Sequence, residues 1–93
     1  MAKRIYKYPI EVKDEQSIEM PMGATILCVQ VQREKPNIWA VVEENAVVET
    51  RKFVLYGTGH ALNGTENLQK YIGTFQMQSG NFVFHLFERI QIK

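Results

Sequence analysis

Apolar residues recur every second position along most of this chain. In residues 4–12, RIYKYPIEV, Tyr6, Tyr8, Ile10 and Val12 share one side while Lys7, Pro9 and Glu11 take the other. Period two with one apolar side predicts a half-buried strand. Pro9 lacks a backbone donor and places that strand at a sheet edge or a bulge. A polar turn at 13–16 leads to a short extended piece, Ser17–Met20, which Pro21-Met22-Gly23 ends. In residues 24–32, ATILCVQVQ, Leu27, Val29 and Val31 face one way and Gln30 and Gln32 the other. The charged connection Arg33–Asn37 then predicts a hairpin loop.

The return strand, 38–44, is apolar on both faces, with Ile38, Ala40 and Val42 on one side and Trp39 and Val41 on the other. Residues 45–47 turn the chain into a strand over 48–56 that begins polar and ends apolar. Residues 57–70, GTGHALNGTENLQK, predict a long loop in which Thr65–Lys70 has the composition for one helical turn. Residues 71–77, YIGTFQM, form a strand that Gly73 interrupts, a signal of a bulge or a close backbone contact. A turn at 78–81 leads to residues 82–92, FVFHLFERIQI, a two-sided apolar strand with a bend near Glu88.

No segment of ten or more residues carries a helical 3.6 period. The pattern predicts one all-β domain over residues 1–93, with six to seven antiparallel strands. So long a sheet must close or fold over to bury its apolar face. The expected forms are a small barrel or a compact two-sheet sandwich, with a curved sheet covered by the 57–70 loop as the rival. The strands at 38–42 and 82–87 need cover on both faces, and no helix is available to supply it. Self-association, as a two-fold dimer, is the simplest source of that cover.

Composition narrows the function. The 93 residues hold 11 Lys and Arg against 10 Asp and Glu, a formal charge of +1. The basic excess that phosphate-backbone binding needs is absent, so nucleic acid is a disfavoured partner. One Cys excludes an intrachain disulfide framework and a Cys-rich zinc site, and points to a reducing, cytoplasmic setting. No apolar stretch approaches the roughly 20 residues of a membrane-spanning helix, and MAKRIYKYPI is not a signal peptide. No cofactor fingerprint is present; Glu66 and Glu88 are the carboxylates that would join His60 and His85 on a metal, and nothing in the spacing brings them together.

The candidate chemistry centres on Gly57-Thr58-Gly59-His60, which follows the most apolar strand ending. Two glycines around a threonine let a backbone approach a ligand closely, with Thr58 and His60 as side-chain donors to an anion. The plainer reading is a tight exit from the strand. The Lys-Ser/Thr ending of a phosphate-binding P-loop is absent. Arg51 has the geometry to grip a carboxylate or phosphate in two places, or it pairs with Glu49 or Glu43 on a wet face. Trp39 is a stacking surface, an oligomer contact or a half-buried aromatic. His85, between Val83 and Phe87, reads as a satisfied, partly buried histidine, and Cys28 as a small buried apolar group.

The stretches ATILCVQVQ, IWAVV, ETRKF, GTGH, YIGTFQM and VFHLFE, in this order over residues 4–88, resemble a family of small uncharacterised proteins of bacterial and bacteriophage genomes. The resemblance implies a cytosolic, phage-related protein and supplies no catalytic residues. Two functions follow from all of this. The first is a binding or regulatory protein that acts through protein contacts, on itself or on a host protein. The second is a sequestering binder of a small anionic, nucleotide-like ligand, built from Thr58, Gly59 and His60 with Arg51 and Trp39. An enzyme and a purely structural protein rank behind both. The second reading requires Trp39, Arg51 and His60 to converge.

Overall fold

The computed structural model describes residues 2–62 and 68–90. Seven strands follow one another: β1 (Lys3–Pro9), β2 (Glu15–Pro21), β3 (Thr25–Gln32), β4 (Lys35–Glu43), β5 (Val48–Gly57), β6 (Gln69–Met77) and β7 (Phe82–Arg89). They form two antiparallel sheets, β1-β4-β3 and β2-β5-β7-β6. Of the expected forms, the two-sheet arrangement is the one adopted, and neither sheet closes into a barrel.

The topology rests on one long ribbon. β3 pairs with β4, and β2 pairs with β5, so residues 15–54 make a single antiparallel hairpin. Both arms of the ribbon change sheets together, at 22–24 and at 44–47. The Met22 amide donates to the Val47 carbonyl at 2.7 Å and holds the two arms together through this corner. The tip of the ribbon is a two-residue turn at Arg33 and Glu34, with φ of 52° and 67°. Positive φ at both central residues is the twist that a two-residue hairpin requires. The loop is therefore shorter than the sequence predicts, because Lys35, Pro36 and Asn37 belong to β4. Pro36 is tolerated there because its carbonyl side faces Ile10, beyond the end of β1, and not β3. No ladder bond to β3 is lost.

Both sheets contribute to one core. Ile38, Ala40 and Val42 come from β4, Val29 from β3, Phe53 and Leu55 from β5, Leu86 from β7, and Phe75 and Met20 from β6 and β2. Each set keeps the period of two. β1 is an edge strand that ends on Pro9, as the missing donor predicts. β6 bulges between Tyr71 and Gly73, where the sequence predicts an interruption. β3 bulges between Ile26 and Cys28. At this seam β3 and β6 run close together, and a Cβ on Gly73 would stand 2.9 Å from Val29 Cγ1. Where the two bulged edges diverge, a cleft of about 400 Å³ opens between Ile26 and Leu27 on one side and Tyr71 and Ile72 on the other.

The 57–70 loop is shorter at both ends than the sequence predicts. Gly57 completes β5, and Gln69 and Lys70 begin β6, extended by pairing with Arg89 and Glu88. The rest of the expected helical turn, Thr65 to Asn67, lies outside the described residues. No helix among the described residues is long and apolar enough to cross a membrane.

Candidate functional site

The five candidate residues fall in three separate places. Arg51 has the parity of Phe53 and Leu55 and so points to the core side of its sheet. It clamps Glu88 from β7 with Nε and Nη2, the second bond at 3.0 Å. Its Nη1 donates to the Ala24 carbonyl at 2.9 Å and lies 3.6 Å from Glu49. Glu88, at hydrogen-bond range, raises the Arg51 pKa above its ordinary value against the opposing effect of burial. Arg51 is thus a structural tie. It joins β5 and β7 to the corner of the ribbon, with its donors directed to protein acceptors.

His60 sits at the other end of β5. Six residues of strand separate Arg51 from Gly57, roughly 20 Å. The His60 amide donates to the Gly57 carbonyl at 3.1 Å, and its ring lies against the Gly57 backbone. Gly59, at φ 89°, makes this turn, a conformation that glycine adopts without strain. Beside it lies a cavity of about 250 Å³ lined by Asp14, Glu15, Val54, Tyr56, His60 and Ala61. Two carboxylates in that lining oppose an anion. Trp39 belongs to the other sheet, on the face away from the core. The three residues that the small-ligand reading brings together are therefore apart.

Thr58 turns toward a different partner. Its hydroxyl lies 2.7 Å from His85 Nε2, and His85 Nδ1 lies 2.9 Å from the Thr74 hydroxyl. Thr74 continues to the Tyr71 hydroxyl at 2.6 Å. Beside this chain Phe87 receives Tyr56 and Tyr71 edge-on, with ring centroids at 5.6 and 5.4 Å. The Tyr56 hydroxyl accepts from Gln69 Nε2 at 2.8 Å. Hydroxyls can donate or accept, so a neutral His85 is satisfied in either tautomer. The network ties β5, β7 and β6 together on the outward face of the four-stranded sheet, and His85 is the satisfied histidine that its neighbours predict. Thr74 and Tyr71 escaped sequence reasoning. Their link to His85 depends on the β6 bulge, which sets Thr74 directly opposite it.

The outward face of the three-stranded sheet is different in kind. Register aligns Ile5, Val41 and Thr25 in one row and Lys7, Trp39 and Cys28 in the next. Ile5 is 63% exposed, Leu27 at the bulge is 49% exposed, and Trp39, Val41 and Cys28 are half-buried. Lys7 Nζ stands 5.8 Å from the Trp39 ring centroid and is held by Gln32 Oε1 at 2.8 Å. An aromatic at the centre, aliphatic neighbours and a rim of Lys3, Lys7, Glu43 and Gln30 describe the anatomy of a protein contact surface. Among the described residues no group of three or more His, Cys, Asp or Glu is placed to hold a metal ion.

The whole chain, residues 1–93, matches the model of the family described as "Domain of unknown function (DUF7352)", and the chain belongs to that family. No curated protein and no solved structure matches it.

Proposed function

We propose that this member of the DUF7352 family acts by protein–protein contact, and that its contact surface is the outward face of β1, β4 and β3 with Trp39 at the centre. The observation that carries this reading is the Ile5–Val41 and Trp39–Cys28 rows, an apolar patch that lies outside the core, with Ile5 exposed at its edge. Burying that face removes apolar area from water and surrounds Trp39 with a dry contact, the environment in which tryptophan contributes most to binding. The first occupant is a second copy of the chain in a two-fold dimer, because one patch then covers itself. A host protein with a complementary apolar face would use the same surface. The sequence resemblance to bacterial and bacteriophage proteins fits a cytoplasmic accessory of that kind.

Sedimentation equilibrium over a wide concentration range at high salt tests the reading. The wild type should fit a monomer–dimer equilibrium. Val41→Glu should be monomeric with an unchanged circular dichroism spectrum. A wild type that stays monomeric at the highest concentration would overturn self-association through this face.

A further inference from the structure

Two sheet edges are open. Among the described residues β1 has only β4 as a strand neighbour, and β2 has only β5. In an antiparallel pair the amide and carbonyl of one residue point to the same side, alternating along the strand. Ile10 donates to Pro36 and so faces β4, which directs Tyr8, Tyr6 and Arg4 the same way. Lys3, Ile5 and Lys7 therefore turn their backbone groups to the open edge. In β2, the Met22 amide reaches Val47 and the Asp14 carbonyl receives Leu55, so the even-numbered residues face β5. Glu15, Ser17 and Glu19 turn theirs outward.

The two edges are complementary. β1 carries Lys3, Arg4 and Lys7 and no acid, while β2 carries Glu15 and Glu19 and no base. Lys3 and Lys7 stand four residues apart on the outward face, and so do Glu15 and Glu19. Antiparallel alignment sets Lys3 opposite Glu19, Ile5 opposite Ser17 and Lys7 opposite Glu15. These are the residues whose backbone groups are turned outward, so the alignment forms up to about six interstrand hydrogen bonds. Opposite charges then face one another across each outer pair. Pro9 and Pro21, which lack donors, both fall beyond the end of the facing strand. Parallel alignment with the same charges matched would set Pro9 against Pro21, and two missing donors would meet.

We infer that β1 of one copy adds to β2 of a second copy, antiparallel and in this register. The contact is heterologous, since each copy offers a basic edge and an acidic one. Copies therefore join head to tail into a ring or an open chain. This contact uses backbone edges and charge; it shares Ile5 and the flanking Lys3 and Lys7 with the face around Trp39 but does not need Trp39 or Val41.

Charge exchange tests it at low salt, by light scattering on the full chain. Wild-type mass should rise with concentration beyond a dimer and fall at least about twofold in high salt, where surface charges are screened. Lys3→Glu with Lys7→Glu should abolish this growth, and so should Glu15→Lys with Glu19→Lys. Mixing the two doubly substituted proteins should restore it, because each then supplies the edge the other lacks. The chain carrying all four changes should also assemble with itself. Thermal unfolding of each variant confirms that it is folded. A wild type that never exceeds a dimer overturns the inference, as does a mixture that fails to regain mass. Loss of the Trp39-face dimer in Val41→Glu would leave this growth in place, so the two contacts fail separately.

Discussion

Gly73 on β6 and Val29 on β3 touch so closely that the valine occupies the space a side chain at 73 would need. A Cβ at Gly73 would lie 2.9 Å from Val29 Cγ1 and 3.7 Å from the Val29 amide nitrogen. Val29 is 4% exposed and part of the core, so it has little room to yield. This contact brings the facing edges of the two sheets together, and the β6 bulge places the glycine there.

Gly73→Ala should therefore destabilise the protein by about 1–3 kcal/mol, the usual cost of overpacking. Adding Val29→Ala should cost less than the two single losses combined, because the cavity of one change accepts the methyl of the other. Urea denaturation of the four proteins measures the cycle. Gly57 is a useful contrast. A Cβ there would meet His60 Cε1 at 2.9 Å, yet His60 is exposed and its ring can swing away. Gly57→Ala should stay within about 0.5 kcal/mol of wild type.

Arg51 and Glu88 make the second test. Their side chains are 17% and 15% exposed, and two hydrogen bonds join them. Glu88→Ala leaves a partly buried guanidinium without its main partner and should cost about 3 kcal/mol. Replacing both, Arg51→Met with Glu88→Leu, should return stability to within about 1 kcal/mol of wild type, because a well-packed apolar pair avoids the desolvation of two charges. Chemical denaturation distinguishes the outcomes. A loss below about 1 kcal/mol in Glu88→Ala would show that the pair acts like an exposed ion pair and does not fasten β5 to β7.

The third test is acid. Glu44 lies just past β4 and accepts from Tyr6 Oη at 2.6 Å and from Arg4 Nε at 2.8 Å. The Tyr6 hydrogen bond first, and Arg4 second, hold the Glu44 carboxyl below its ordinary pKa. A lowered folded pKa adds stability above the unfolded value of about 4.3 and loses it as pH falls through the folded one. The Glu44 carboxyl carbon, followed by NMR, should titrate below pH 4.3, the ordinary glutamate value. Tyr6→Phe should move that midpoint up. Amide exchange along β1 should quicken across the same range, since these bonds fasten the edge strand to its neighbour.

Much of the fold was legible in the periodicity. Alternation sorts the residues of β4, β5 and β7 into two sets, because side chains alternate across a strand, but both sets are apolar there, and Phe53 to Tyr56 are all buried. Pro9 at an edge and Gly73 at a bulge follow from a missing donor and a missing side chain. A hairpin connection at 33–37 was legible, but its two-residue form at Arg33 and Glu34 was not, since neither residue favours positive φ and Pro36 reads as a breaker. The ribbon's twist imposes that conformation. Arg51 and Glu88 carried a signal of another kind. Each is a charge on the parity of a core face, and two such charges on one sheet point to a mutual pair.

The strand positions and the all-β class were therefore written in local chemistry, where each residue answers to its immediate neighbours. Which distant residues meet was not. Arg51 joins Glu88 across 37 positions and Thr58 joins His85 across 27, while His60 and Trp39 are kept away from Arg51. Those pairings depend on the long ribbon changing sheets at 22–24 and 44–47 and on bulges that shift register by one residue. Period two does not say where the ribbon changes sheets, and a bulge flips the faces beyond it: even alternation groups Leu27 with Val29, whereas the bulge puts Ile26 with Val29 on the core face.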